Sequence, residues 1–232
     1  MSYTITNDYF SFIWIIISYV MGSFPSGYIL TKLSVKKNVL KIGWRKTSGS
    51  NVFKNIGIWQ GILTGVLDVL KGYLAVYIAG YFGMPNQIQV LAGVAAVTGH
   101  NWSIFLNFAG GRGIGTLGGA LLALSPQFFL WAVSILIVLA LIWNAAIGTI
   151  VFLIFSIFLA KKLNQFDSIG MLVLISLIPI FVKRLSPINE IKTAQNKIAL
   201  IKNRLVFDDD KSSGFRIKKI INKLTKKKDV IE

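Results

Sequence analysis

From Phe128 to Ala160 the chain runs 33 residues without a charged side chain. A helix rises 1.5 Å per residue, so a single helix of this run would extend about 50 Å. The hydrocarbon core of a bilayer is only about 30 Å thick. We therefore read two short or tilted helices, divided around Ile142, Trp143 and Asn144. Five more apolar segments are read as spans, several of them approaching the roughly 20 residues that a spanning helix needs. They run from about Tyr9 to Thr31, Ile58 to Phe82, Ile88 to Phe105, Gly113 to Leu124 and Ile169 to Val182. With 54% hydrophobic residues and a mean hydropathy of +0.64, the chain is too apolar for an ordinary soluble domain. The expected fold is all-α, a polytopic membrane protein of about seven transmembrane helices with short re-entrant or broken segments on its cytoplasmic side.

The formal net charge of +16 is concentrated beside these spans. Residues 32 to 54 carry seven Lys or Arg and no acid, and the tail from Lys183 to Glu232 carries fourteen against six acids. Basic loops next to apolar spans mark the cytoplasmic side and favour anionic headgroups. Membrane lipid is thus the expected partner, and nucleic acid is not. The N-terminus is placed outside and the tail inside, with loops 32–57, 100–112 and 143–149 all on the cytoplasmic face. The cost is that Lys161 and Lys162 fall outside. Residues 1–183 form the expected membrane domain. Residues 184–232 form a basic tail with an amphipathic helix over 188–205, suited to lie on anionic lipid; a partly disordered tail fits equally well. No cleavable leader is expected, since the first apolar run has no basic stretch before it. Without cysteine and with one histidine, the chain offers neither disulfides nor thiolate metal sites, and we expect no metal and no cofactor.

Four stretches carry chemistry. "GSFPSGYILTK" (22–32) ends the first span with Gly22, Pro25 and Gly27, all poor choices for an unbroken helix. Backbone broken at membrane depth must be buried in protein or line a cavity. Ser23 and Ser26 can offer hydroxyls there, or simply bond back to carbonyls at a packing kink. "SGSNVFKNIG" (48–57) supplies the capping residues Ser48, Ser50 and Asn51. Either this start binds an anion beside Lys54, or it is an ordinary cap with a solvated lysine. "LDVLKG" (67–72) puts Asp68 and Lys71 on one helix face inside a span, where ionisable groups are costly and pair or face a cavity.

The fourth, "TGHNWSIFLNFAGGRGIGT" (98–116), holds the lone His100. Gly110, Gly111 and Gly113 let the backbone approach a ligand, and Arg112 adds a planar donor fork suited to phosphate. His100 can position a substrate, move a proton or be a satisfied structural histidine.

These stretches together resemble the bacterial acyl-phosphate:glycerol-3-phosphate acyltransferases, the PlsY family, from about residue 14 to 155. "GSFPSGYILTK" is similar to that family's first motif. "SNVFKNIG" and "GVLDVLKG" resemble its T-N-V-x-R-x-x-G and D-x-x-K-G elements, and "GHNWSIFLNFAGGRGIGT" its G-H-x-x…G-G-K-G-x-x-T signature. The chain departs by exchanging that lysine for Arg112 and the arginine for Lys54. It also carries "GWRKTSGSN" for G-S-G-N-x-G-A-T-N, and "WNAAIGT" (143–149) for R-Y-V-S-L-G-S. Trp143 there replaces arginine and Ala146 a serine, while Thr149 keeps a hydroxyl. Of the family's C-terminal H-R-x-N-I-x-R-L only a remnant, "VKRLSPIN" (182–189), remains.

The resemblance implies transfer of an acyl group from acyl phosphate to the sn-1 hydroxyl of glycerol 3-phosphate, giving lysophosphatidate, in a bacterial cell membrane. Such a donor is already activated, so orientation and charge stabilisation can carry the reaction without a protein nucleophile. Ser23, His100 and Arg112 are the implied catalytic residues. Ser26, Ser50, Asn51, Lys54, Lys71, Gly110, Gly111, Gly113, Thr116 and Thr149 are the implied substrate-binding ones. The alternative is a divergent paralogue that acylates another polyol phosphate or only binds phosphorylated lipid precursors. A transporter finds no internal repeat to support it. The H-x-x-x-x-D dyad of other acyltransferases is absent, because Phe105 stands five residues after His100.

Overall fold

The computed structural model describes residues 2–142 and 145–211. Helices α1 (Ser2–Ser23), α2 (Ser26–Val35), α3 (Gly49–Asn55), α4 (Ile58–Tyr81), α5 (Asn86–Asn101) and α6 (Ile114–Leu124) come first. They are followed by α7 (Pro126–Ile142), α8 (Ala145–Lys162), α9 (Met171–Leu185), α10 (Ile188–Thr193) and α11 (Lys197–Phe207). Among the described residues there is no strand.

Among the described residues, four stretches are long and apolar enough to cross a membrane, namely Asp8–Val35, Ile58–Tyr81, Ala145–Lys162 and Phe166–Leu185. Two shorter apolar helices cover Ile114–Leu124 and Pro126–Leu139. The long apolar run does break into two helices, α7 and α8, and Trp143 and Asn144 between them lie outside the described residues. The lysine-rich end of the tail also lies outside them.

The chain forms two compact units, Met1–Phe129 with Ser156–Lys183, and Leu130–Phe155 with the chain from Arg184 onward. In the first unit, small residues let helices approach until backbones touch, as suits a bundle whose outer surface faces lipid rather than water. On α1 and α5, a Cβ at Gly22 would run into the backbone of Ala96, and one at Gly99 into the Tyr19 carbonyl. On α4 and α6, Gly72 meets the Thr116 carbonyl and Gly119 that of Val69 in the same way. Trp14 fastens α1 to α4, its indole N–H donating to the Ala75 carbonyl at 2.9 Å.

In the second unit the single amphipathic helix expected over 188–205 is two helices, α10 and α11. Asn196 starts α11 by accepting from the Ala199 N–H at 3.0 Å. Arg204 on α11 is buried. Its guanidinium donates to the carbonyls of Leu185 (3.0 Å) and Pro187 (2.9 Å), to Glu190 (2.5 Å) and to Asp210 (2.7 Å). Arg184 donates to the carbonyls of Leu205 (2.6 Å) and Ala146 (3.2 Å). Two arginines therefore fold this segment by capturing carbonyls, a bond type that apolar periodicity does not report.

Candidate active site

The helix break expected near Pro25 is real: α1 stops at Ser23 and α2 starts at Ser26. Proline has no N–H and clashes with the preceding turn, so carbonyls around the break need partners from elsewhere. Ser103 donates its hydroxyl to the Ser23 carbonyl at 2.5 Å, and Lys71 donates to that of Phe24 at 3.1 Å. The two serine hydroxyls divide between the readings the sequence left open. Ser23 bonds back to the Tyr19 carbonyl at 2.9 Å, whereas Ser26 reaches the carboxylate of Asp68 at 2.8 Å.

Asp68 is the hub of a buried polar cluster. Its Oδ1 also lies 3.0 Å from Lys71 Nζ and 3.4 Å from His100 Nδ1. All four side chains are nearly excluded from solvent. A buried carboxylate is tolerated when paired and hydrogen-bonded, and three partners from α2, α4 and α5 meet that need. The histidine–carboxylate pair that no five-residue spacing provides is thus assembled in space, from two helices.

His100 links this cluster to the glycine loop. Its Nδ1 faces Asp68, and a Cβ on Gly111 would collide with its Nε2. The His100 carbonyl accepts from the Gly111 N–H at 3.0 Å. Any side chain at 111 would displace either the imidazole or the loop. Gly110 is equally confined, facing the carbonyls of His100 and Asn101. Gly113 turns into α6 with φ +78°, the left-handed region that favours glycine. Thr116, one turn later, is buried, and its hydroxyl has no hydrogen-bond partner among the described residues. On the far side Lys183 of α9 steadies the loop: its ammonium donates to the Phe108 carbonyl at 3.2 Å and lies 5.4 Å from the Trp102 ring.

The second cationic loop packs on the first, with the Thr47 N–H 3.4 Å from the Gly110 carbonyl. Asn51 is fully buried at its centre. Its amide donates to the carbonyls of Lys46 (2.8 Å) and Ile42 (3.2 Å) and accepts from the Trp44 N–H (3.0 Å) and the Asn55 amide (2.9 Å). Such an amide braces the loop. Ser50, by contrast, is exposed, with its hydroxyl 3.3 Å from that of Ser48. Lys54 and Arg112 meet at Trp44, Nζ lying 4.9 Å and Cζ 5.3 Å from the centre of its indole.

The first unit therefore brings together Ser23, Ser26, Asp68, Lys71, His100 and the 110–113 loop, and sets Asn51, Lys54 and Arg112 around Trp44. Thr149 lies in the second unit, its hydroxyl bonded to the Ala145 carbonyl at 2.7 Å. Sequence reasoning passed over Trp44 and Lys183. The signals were a lone aromatic in a basic, Ser- and Gly-rich loop, and a lysine at the end of an apolar span.

The glycerol-3-phosphate acyltransferase family model matches residues 12–194. A glycerol-3-phosphate acyltransferase of Prochlorococcus marinus (strain MIT 9312) is 34% identical, over 79% of this chain and 95% of its own length. One from Enterococcus faecalis is 39% identical over 54% of this chain, and that match spans 58% of the relative's length. Among solved structures, PlsY, an integral membrane glycerol 3-phosphate acyltransferase crystallised in a glycerol 3-phosphate form, is similar with a TM-score of 0.69. That likeness has 25% identity over 79% of this chain and 92% of the other. A family model spanning most of the chain, a relative matched nearly end to end and a shared membrane fold lead to one conclusion: this chain belongs to the glycerol-3-phosphate acyltransferase family of integral membrane enzymes.

Proposed function

We propose that this acyltransferase takes its acyl group from an acyl phosphate and delivers it to the sn-1 hydroxyl of glycerol 3-phosphate. The observation that carries the reading is the convergence of two cationic loops, with Lys54 and Arg112 meeting at Trp44. Neither 32–57 nor 98–116 contains an acid. Both reactants bear phosphate, and fixed cations beside glycine N–H groups suit phosphate charge.

In the reaction the sn-1 oxygen attacks the acyl carbonyl, the bond between that carbon and the phosphate oxygen breaks, and the hydroxyl proton leaves with the phosphate. Arg112 and the 110–113 backbone hold one phosphate, and Lys54 stands by the other. His100 and Ser23 flank the reacting carbonyl and hydroxyl. Asn51, Ser26 and Lys71 act through what they hold in place: the basic loop, the Asp68 carboxylate and the backbone of the helix break. Ser50 and Thr116 complete the proposed contacts within the first unit. The N-terminus is outside, and the two loops and the tail are cytoplasmic.

The altered "GWRKTSGSN" loop favours, as a second reading, another polyol phosphate as acceptor. The purified protein in lipid, given palmitoyl phosphate and glycerol 3-phosphate, should release phosphate and form lysophosphatidate in step. It should stay silent with palmitoyl-CoA as donor. Silence with glycerol 3-phosphate but turnover with another polyol phosphate would replace the first reading by the second.

A further inference from the structure

We propose that Asp68 is a positioning residue for acyl transfer, its carboxylate keeping the His100 proton on Nδ1 so that a bare Nε2 lies against Gly111 and seats the glycine loop. This deepens the reading above and rests on it.

Two contacts fix the imidazole from opposite sides. On one side Nδ1 stands 3.4 Å from Asp68 Oδ1. A carboxylate oxygen repels a nitrogen lone pair and attracts an N–H, so the proton belongs on Nδ1. On the other side a Cβ at Gly111 would collide with Nε2. The glycine hydrogen that stands there instead points at the ring nitrogen. A proton on Nε2 would be driven into that hydrogen, whereas a bare nitrogen leaves it room. Charge and space select the same tautomer.

The carboxylate is held by groups other than the ring. Ser26 donates to the same Oδ1 at 2.8 Å, and Lys71 Nζ lies 3.0 Å from it. Lys71 also donates to the Phe24 carbonyl at the helix break. Gly115, in the first turn of α6, packs over Asp68, where a Cβ would stand 3.2 Å from the aspartate Cβ. The His100 carbonyl accepts from the Gly111 N–H at 3.0 Å, so backbone and side chain of one histidine meet the same glycine. Asp68 thus stands behind the loop that carries Arg112 and reaches Gly111 through the imidazole. Loop N–H groups hold a phosphate only where they converge, and a shift of about 1 Å can cost about a hundredfold in rate.

His100 is the single histidine of the chain, so isotope-labelled histidine gives one imidazole to observe by nitrogen NMR. The full chain, purified without a histidine tag and placed in lipid nanodiscs, should show Nδ1 protonated and Nε2 bare. Asp68→Asn can turn an amide N–H toward Nδ1, and should move the proton to Nε2. Kinetics with palmitoyl phosphate and glycerol 3-phosphate are read per folded protein, well below the melting temperature of the variant. Asp68→Asn should lower kcat/KM about tenfold. In a His100→Ala background it should cost no more than about twofold, because no ring is left to orient. A carboxylate that only stabilises the fold would cost the same in both.

A native protein with its proton on Nε2, or equal costs of Asp68→Asn with and without His100, would overturn the proposal and leave the reaction standing. If Asp68→Asn does not fold, the native spectrum decides by the tautomer alone. A native protein without turnover overturns the reaction, and the part of Asp68 in it, whatever the spectrum shows.

Discussion

Two clusters of cations in the first unit are built on opposite plans. Around Asp68, a lysine and a histidine converge on a carboxylate, nearly out of contact with solvent. Around Trp44, an exposed lysine and a half-buried arginine converge on an aromatic ring, in loops without an acid. The first plan neutralises charge and serves rigidity, since a buried charge must be paired to be tolerated. The second brings two cations from different loops to one aromatic ring, at the surface rather than in the core. His100 belongs to the first cluster by its side chain and to the glycine loop by its carbonyl. It passes the order of the one to the other.

The largest effect that would sharpen this contrast is expected from Asp68→Asn. It leaves the Lys71 ammonium buried without its countercharge, a loss of about 3–5 kcal/mol. The melting temperature in detergent should fall by roughly 10 °C, and activity should fall with it. A stable Asp68→Asn protein would break the comparison at its first term.

Arg112→Ala should do the reverse, lowering turnover by about a hundredfold or more while melting as the native protein does. Native rates from the well-folded variant would remove the phosphate role of the loop. Gly111→Ala sits at the seam, because its added methyl collides with His100 Nε2. We expect at least about a tenfold loss of kcat/KM with only a small change in melting. Unchanged kinetics would show that the loop and the imidazole move independently.

His100→Ala should cost about tenfold, as fits a residue that orients. A loss beyond about a thousandfold would make it the general base in its own right. Smallest of all, Arg204→Ala in the second unit should leave turnover within about twofold. It should nonetheless expose the 186–207 segment to limited proteolysis, because four of the bonds holding that segment end on this guanidinium. A large loss of turnover there would tie the tail to the reaction.

Much of this was legible in the chain itself. Apolar run length determines a bundle of membrane helices, because unpaired backbone is too costly in lipid for any other spanning structure of this composition. Pro25 between two glycines determines a break at the end of the first span, since proline lacks the N–H that a continuous helix requires. The order of motifs around residues 22–32, 48–57, 67–72 and 98–116 determines the family. What sequence could not determine is which polar groups meet, because contacts between segments tens of residues apart depend on how the helices pack. Asp68 and Lys71 read as a local pair, and only packing brings Ser26 and His100 to the same carboxylate oxygen. Asn51 read as a cap, and only the fold of its loop turns it into a brace. Trp44 stood out in the sequence only as an aromatic in a basic loop, with nothing to say what it would meet. Its part was decided when tertiary structure set it against two cations from different loops, since proximity in space is what gives a ring and a charge any attraction at all.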